Sequence, residues 1–180
     1  MNITIEEIVK KINDGTLNYR LVTDTDETAR GKVDLRNRTF KIQSNLINCS
    51  LDNADLDGSI FYIDMHLVSF ENASLQKCHF SGIEIEGFFL NANLSMATGY
   101  NVGFVNSTFN NTSLTDCKFT DHSNFTECEI IDCNMSNSDF RGFYYVNVKA
   151  TECILSYCKL TNCEIERSTF TGCIIENAKF

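Results

Sequence analysis

From Leu35 to Phe180 large apolar residues recur every five positions, with polar residues between them. Thirty such units run in tandem, and only Gly99 and Ala150 stand where a large apolar residue is due. Four steps depart from five: 40 to 46, 61 to 65, 90 to 94, and 119 to 125. We call each apolar residue the centre of its unit. Internal repeats of this kind predict a stacked, one-dimensional architecture. The irregular steps are single-residue corrections, which predict bulged corners and no inserted loops.

Two residues before each centre is a position for small side chains. Ala54, Ala73, Ala92, Ser59, Ser107 and Ser138 take it, and so do all nine cysteines. Cysteine therefore reads as a small buried residue interchangeable with alanine and serine. A zinc site needs thiolates converging on one point. Five-residue steps turn successive cysteines in different directions. The buried role is thus favoured over a metal site or a disulfide framework, and no metal or other cofactor is expected.

Every fourth centre repeats in character. One column reads Leu35, Leu56, Leu75, Leu94, Leu114, Met135, Leu155 and Ile175. The next reads Phe40, Phe61, Phe80, Gly99, Phe119, Phe140, Leu160 and Phe180. Two mixed columns follow, Leu46 to Ile165 and Leu51 to Phe170, with Leu90 placed as a centre of the last. Equivalent side chains that stack on each other in a close-packed core demand this order. The segment Ser95–Gly103 is the least regular, and its glycines predict unusual backbone geometry.

The units Ala54-Asp55-Leu56, Ala92-Asn93-Leu94, Ser138-Asp139-Phe140 and Cys133-Asn134-Met135 resemble the A(D/N)LXX consensus of the pentapeptide-repeat family. The resemblance covers residues 35–180. It implies an all-β solenoid, a right-handed quadrilateral β-helix in which each unit forms one side. Thirty sides make about 7.5 coils and a rod roughly 35 Å long.

Residues 1–34 read as a separate cap. Thr4 and Glu7 form a capping box, Ile5, Ile8, Val9 and Ile12 share a helical face, and Gly15 closes the helix. A short N-terminal α-helix over residues 4–13, with Leu17–Val22, would cover the first coil. The chain stops at Phe180 with no such lid. A bare terminal rung predicts a homodimer through the C-terminal coils.

Composition narrows the function. The chain has no proline and no tryptophan, and phenylalanine is abundant at 14. Its start is charged and periodic and lacks the pattern of a secretory signal, and no apolar run is long enough to span a membrane. A cytoplasmic location is expected. Residues 1–41 carry a net charge of +1 and residues 42–180 a net of −10. The third side holds Asp64, Glu84, Glu86, Glu127, Glu164 and Glu166, a candidate interaction side. The fourth adds Asp52, Glu71, Glu129, Asp132 and Glu152. Duplex DNA shows one phosphate per ~1.7 Å of axis, so an acidic rod could occupy a basic DNA-binding groove. Some members of the family bind DNA gyrase in this way and confer quinolone resistance. The resemblance thus implies a type II topoisomerase, gyrase or topoisomerase IV, as a candidate partner. Direct nucleic-acid binding is not expected of a negative rod.

The remaining candidates are aromatic. Phe89 and Tyr144 stand just before their centres and are expected to face outward as a patch. Phe88 and Phe143 take small-residue positions and are expected to swell the wall. His66, His79 and His122 fall at different phases and near no carboxylate group. No nucleophile motif or phosphate loop is present, so a non-catalytic binding solenoid is expected. The alternative is an assembly scaffold that uses its C-terminal end and aromatic patch.

Overall fold

A computed structural model of the chain describes residues 10, 34–41 and 45–180. The expected N-terminal helix and lid lie outside the described residues. The rest is a parallel β-solenoid with fourteen short strands, all paired in parallel. Each side of the solenoid is one unit, and the chain returns to the same side after about twenty residues. Phe40 pairs with Phe61, Phe61 with Phe80, Phe80 with Gly99 and Gly99 with Phe119. Leu46, Met65, Ile85, Phe104, Phe125, Tyr145 and Ile165 form the third side in the same way. All four sides stack together for about six turns, and the first and second sides run on by one rung. This is slightly fewer than the 7.5 coils obtained by counting units.

The three recurring positions have separate physical roles. Centres fill the core, and Leu35, Leu56, Leu75, Phe104, Phe109 and Phe140 are fully buried. Two residues after the centre, the chain turns the corner with positive φ. Twenty-two non-glycine residues do so, twelve of them asparagine, and His122, three residues after its centre, is left-handed as well. Asparagine tolerates this left-handed region better than most L residues, which explains its abundance in the sequence. Two residues before the centre, the small side chain does more than fit. Ser59 Oγ donates to the Leu35 carbonyl at 2.8 Å, Cys78 Sγ to Leu56 at 3.1 Å, and Ser138 Oγ to Leu114 at 2.6 Å. Cys158 Sγ reaches Met135 O at 2.9 Å. Each donor ties one turn to the last through a backbone carbonyl of the turn before. Reading cysteine as a small buried residue interchangeable with alanine and serine did not include this bond.

The fourth side corrects one expected centre. Phe89, not Leu90, points into the core: Phe89 is 1% exposed and Leu90 is 39% exposed. Phe89 stacks on Phe70 and Phe109 at 4.9 and 4.6 Å between ring centres. Gly87 takes the small-residue position, where it accepts the crowding of the Phe89 ring. The four-residue step therefore falls between Ile85 and Phe89, not between 90 and 94. With one residue missing at that corner, pairing slips at Leu67, between His66–Glu86 and Val68–Gly87. The steps 61 to 65 and 119 to 125 stand as expected. The latter takes up its extra residue with two consecutive positive-φ residues, Asp121 and His122.

The segment Ser95–Gly103 is regular after all. It contributes the eight-residue strand Thr98–Val105. Gly99 and Gly103 keep negative φ, and the left-handed corners there are Met96 and Asn101. Gly99 is needed for room, because the Phe119 ring leans into the space a side chain would fill.

Candidate protein-interaction surfaces

The third side is a flat sheet whose outward positions flank each centre. Asp64 and Glu84 are neighbours on successive turns, and the Asp64 carboxylate accepts the Glu84 backbone N–H at 2.8 Å. Glu86 lies opposite His66, with 3.8 Å between Oε2 and Nδ1. His66 thus does meet a carboxylate, contrary to expectation. At the far end, Glu164 and Glu166 flank Ile165, and Arg167 donates to Glu166.

Between these groups the side is neutral. Glu84 is followed up the same column by Gly103, Asn124 and Tyr144 before Glu164. Glu86 is followed in its column by Val105, Thr126 and Val146 before Glu166. Only Glu127, at a corner, stands in the gap. Four turns at ~4.8 Å each separate the two acidic groups by roughly 19 Å. The candidate interaction side is therefore two acidic ends around a neutral centre. On the fourth side Asp52 is buried and engaged with the next turn: Ser69 Oγ and the Glu71 N–H both donate to it.

The aromatic candidates separate. Phe89 is in the core, so it cannot belong to a surface patch. Tyr144 is half-buried on the third side, where its ring stacks on His122 at 6.2 Å and 16°. Phe143 packs inward against Phe125 and Tyr145, as expected of a wall-swelling residue. Phe88 is the surprise: it is 46% exposed. Phe88 and Leu90 both project from the fourth side and border a shallow depression of about 250 Å³, lined also by Glu71, Thr108 and Asn110. Leu67 at the bulged corner is exposed as well.

Ile165, Ile175 and Phe180 are centres of the last coil, yet all are exposed, Phe180 by 67%. Charged residues elsewhere are held locally. Asp139 accepts two bonds from the Arg141 guanidinium, at 2.8 and 2.7 Å, and these hold its carboxyl below the usual range. Burial pushes the Cys78, Cys117 and Cys128 thiols up to about 12, which makes them poor nucleophiles. Among the described residues, no helix is long and apolar enough to cross a membrane, and no cluster of three or more histidine, cysteine and acidic side chains could hold a metal ion.

Most units are five residues, form one side, bury one centre and turn on one left-handed corner. The chain is a β-solenoid built of five-residue repeats. No family model matches this solenoid, and no curated protein matches it. Among solved structures it is similar to HetL, a pentapeptide repeat protein involved in heterocyst differentiation regulation from the cyanobacterium Nostoc sp. strain PCC 7120. That match has 14% identity, covers 99% of this chain and 95% of HetL, and has a TM-score of 0.32. A trypsin-treated form of QnrB1, a plasmid-mediated fluoroquinolone resistance protein, matches at 17% identity over 81% of this chain and 91% of its own, with a TM-score of 0.36. Rfr23, a pentapeptide repeat protein from the cyanobacterium Cyanothece 51142, matches at 13% identity over 81% and 86%, with a TM-score of 0.22. Likeness at this level says nothing about what this solenoid binds.

Proposed function

We propose that the solenoid is a non-catalytic protein-binding rod. The observation that carries this reading is the exposed pair Phe88 and Leu90, set on a rigid sheet beside acidic Glu71, with Glu86 two residues along the same strand. Aromatic and aliphatic side chains ringed by polar groups are what protein interfaces use. The narrower reading is a DNA mimic that enters the basic groove of a type II topoisomerase such as DNA gyrase or topoisomerase IV. It draws on the acidic ends of the third side, Asp64, Glu84 and Glu86 at one and Glu164 and Glu166 at the other.

A gyrase supercoiling assay with purified protein, with and without a quinolone, tests the narrower reading. Inhibition or protection at low micromolar protein, lost when Glu84, Glu86, Glu164 and Glu166 become Gln, supports it. No effect at tens of micromolar retires it for gyrase. Binding to any partner that survives the four Gln changes but fails in Phe88→Ser with Leu90→Ser favours the apolar pair over the charges.

A second reading is self-assembly through the C-terminal rung, favoured by the exposed Ile165, Ile175 and Phe180. Isologous pairing of two such ends would close both. A dimer mass in solution that falls to a monomer in Phe180→Asp supports it, and a monomer at micromolar wild-type protein sinks it.

A further inference from the structure

Three of the nine cysteines are brought together by the fold. Cys133, Cys153 and Cys173 are twenty residues apart and occupy the small-residue position of the first side on three successive turns. The bridges Asn134–Ile154 and Ile154–Ile174 set their register. The Ile154 N–H donates to the Cys133 carbonyl, and the Ile174 N–H to the Cys153 carbonyl, each at 2.9 Å. In-register parallel neighbours are ~4.8 Å apart. That lies within the Cα separation of about 4.4–6.8 Å that a disulfide spans.

No other two cysteines stand on adjacent turns of the same side. Cys78, Cys117 and Cys158 alternate with Ala97 and Ser138 in the second side, which leaves ~10 Å between them. Cys49 and Cys128 on the fourth side and Cys163 on the third have no cysteine on the turn before or after. The rejection of a disulfide framework was sound for five-residue neighbours and did not reach twenty-residue ones.

Access differs along the ladder. Cys133 and Cys153 are buried, while Cys173 is partly exposed. The Cys133 thiol donates to the Ile131 carbonyl at 3.2 Å and the Cys153 thiol to the Thr151 carbonyl at 3.3 Å, and burial pushes the Cys173 thiol above its usual range. The ladder thus has an outer thiol that a reagent can reach and an inner one a single turn behind it.

We propose that Cys173 and Cys153 form an exchange-driven disulfide that staples the last turn of the solenoid to the one before it. The co-reactant is a small-molecule disulfide. Cys173, as thiolate, attacks one of its sulfurs; the small S–S bond breaks, and one small thiol leaves with a proton. The Cys153 thiolate then attacks Cys173 Sγ, forms the protein S–S bond and expels the second small thiol. The two protein thiols lose two electrons and two protons, and the small disulfide is reduced to two thiols.

The test uses the full chain and oxidised glutathione as the probe. After equilibration and acid quenching, free thiols are counted in denaturant and the tryptic peptides are mapped without reduction. We expect a loss of two of the nine thiols and a link between peptides 150–159 and 168–179, which carry Cys153 and Cys173. The link should persist in Cys158→Ser and Cys133→Ser, and vanish in Cys153→Ser and Cys173→Ser. The Ser variants keep a residue type that already fills this position at Ser138, and the wild-type map stands without them. Nine free thiols, a stable glutathione adduct on Cys173 without a link, a link between other cysteines, or a covalent dimer would each overturn the proposal.

Discussion

The Phe119 ring lies over Gly99, so close that a Cβ on Gly99 would stand 2.4 Å from Phe119 Cδ1 and 2.9 Å from Val102 Cγ2. The gap lets Phe119 stack towards Phe80, two turns away, with ring centres 6.4 Å apart. The phenylalanine column is continuous because one member is missing. Gly99→Ala should therefore cost about 1–3 kcal/mol of stability, as overpacking does. Shortening the neighbour in Gly99→Ala/Phe119→Leu should restore part of the loss. Urea unfolding of both proteins checks this; a neutral Gly99→Ala would mean that the ring swings aside freely.

Phe89 and Leu90 offer a sharper contrast. They are adjacent, both large and apolar, and only Phe89 is in the core. Phe89→Ala removes a ring sandwiched between Phe70 and Phe109 and should cost about 3–5 kcal/mol. Leu90→Ala should stay within about 0.5 kcal/mol. Equal losses in the two unfolding curves would return Leu90 to the core and undo the register described above.

That same pair shows where the sequence was legible. The columns of centres were readable because Leu stacks on Leu and Phe on Phe, a pattern that packing alone enforces. At Phe88-Phe89-Leu90 size could not choose the centre, since all three residues qualify. The deciding signal was two residues further on. Asn91 belongs to a left-handed corner, and an asparagine corner sits two residues after its centre, which selects Phe89. For the candidate surface, the phase of each acid along its unit placed Glu84, Glu86, Glu164 and Glu166 on one side. Their clustering at its two ends depends on the turn-to-turn step, and the acids had been pooled by side. Phe88 could not be recognised as exposed while its register was off by one.

Stability should depend on pH through Asp139. Its carboxyl is held low in the folded chain, first by the hydrogen bonds from Arg141 and further by Lys159 at 3.8 Å, against the opposing effect of burial. A lowered folded value favours the ionised form, so the contribution is present above the unfolded carboxyl range of about 4. It is lost as the pH falls through the folded value. Arg141 is more than half exposed, which keeps the pair to about 1 kcal/mol or less. Asp139→Asn should lower the melting temperature at pH 7 and leave it nearly unchanged near the acid limit. Melting curves of the two proteins that run parallel from pH 7 to pH 2 would remove Asp139 from the acid response.

Tyr145 should be improvable. Its Oη is buried and has no hydrogen-bond partner, and its ring packs against Phe125, Phe143 and Phe170 at 5.9, 5.0 and 5.7 Å between centres. Burial, with smaller contributions from the Cys163 and Cys158 thiols, drives its hydroxyl pKa well above the usual value. A buried polar group without a partner costs about 1–3 kcal/mol relative to its removal. Phenylalanine already fills the same column at Phe104 and Phe125, so the core accepts that shape. Tyr145→Phe should raise stability by about 1 kcal/mol, which at this chain length is a melting-temperature gain of about 2–4 °C. The gain needs no new contact, only the loss of an oxygen from an apolar wall. A lower melting temperature would mean that the hydroxyl finds a partner, such as a buried water, whose bond outweighs its desolvation.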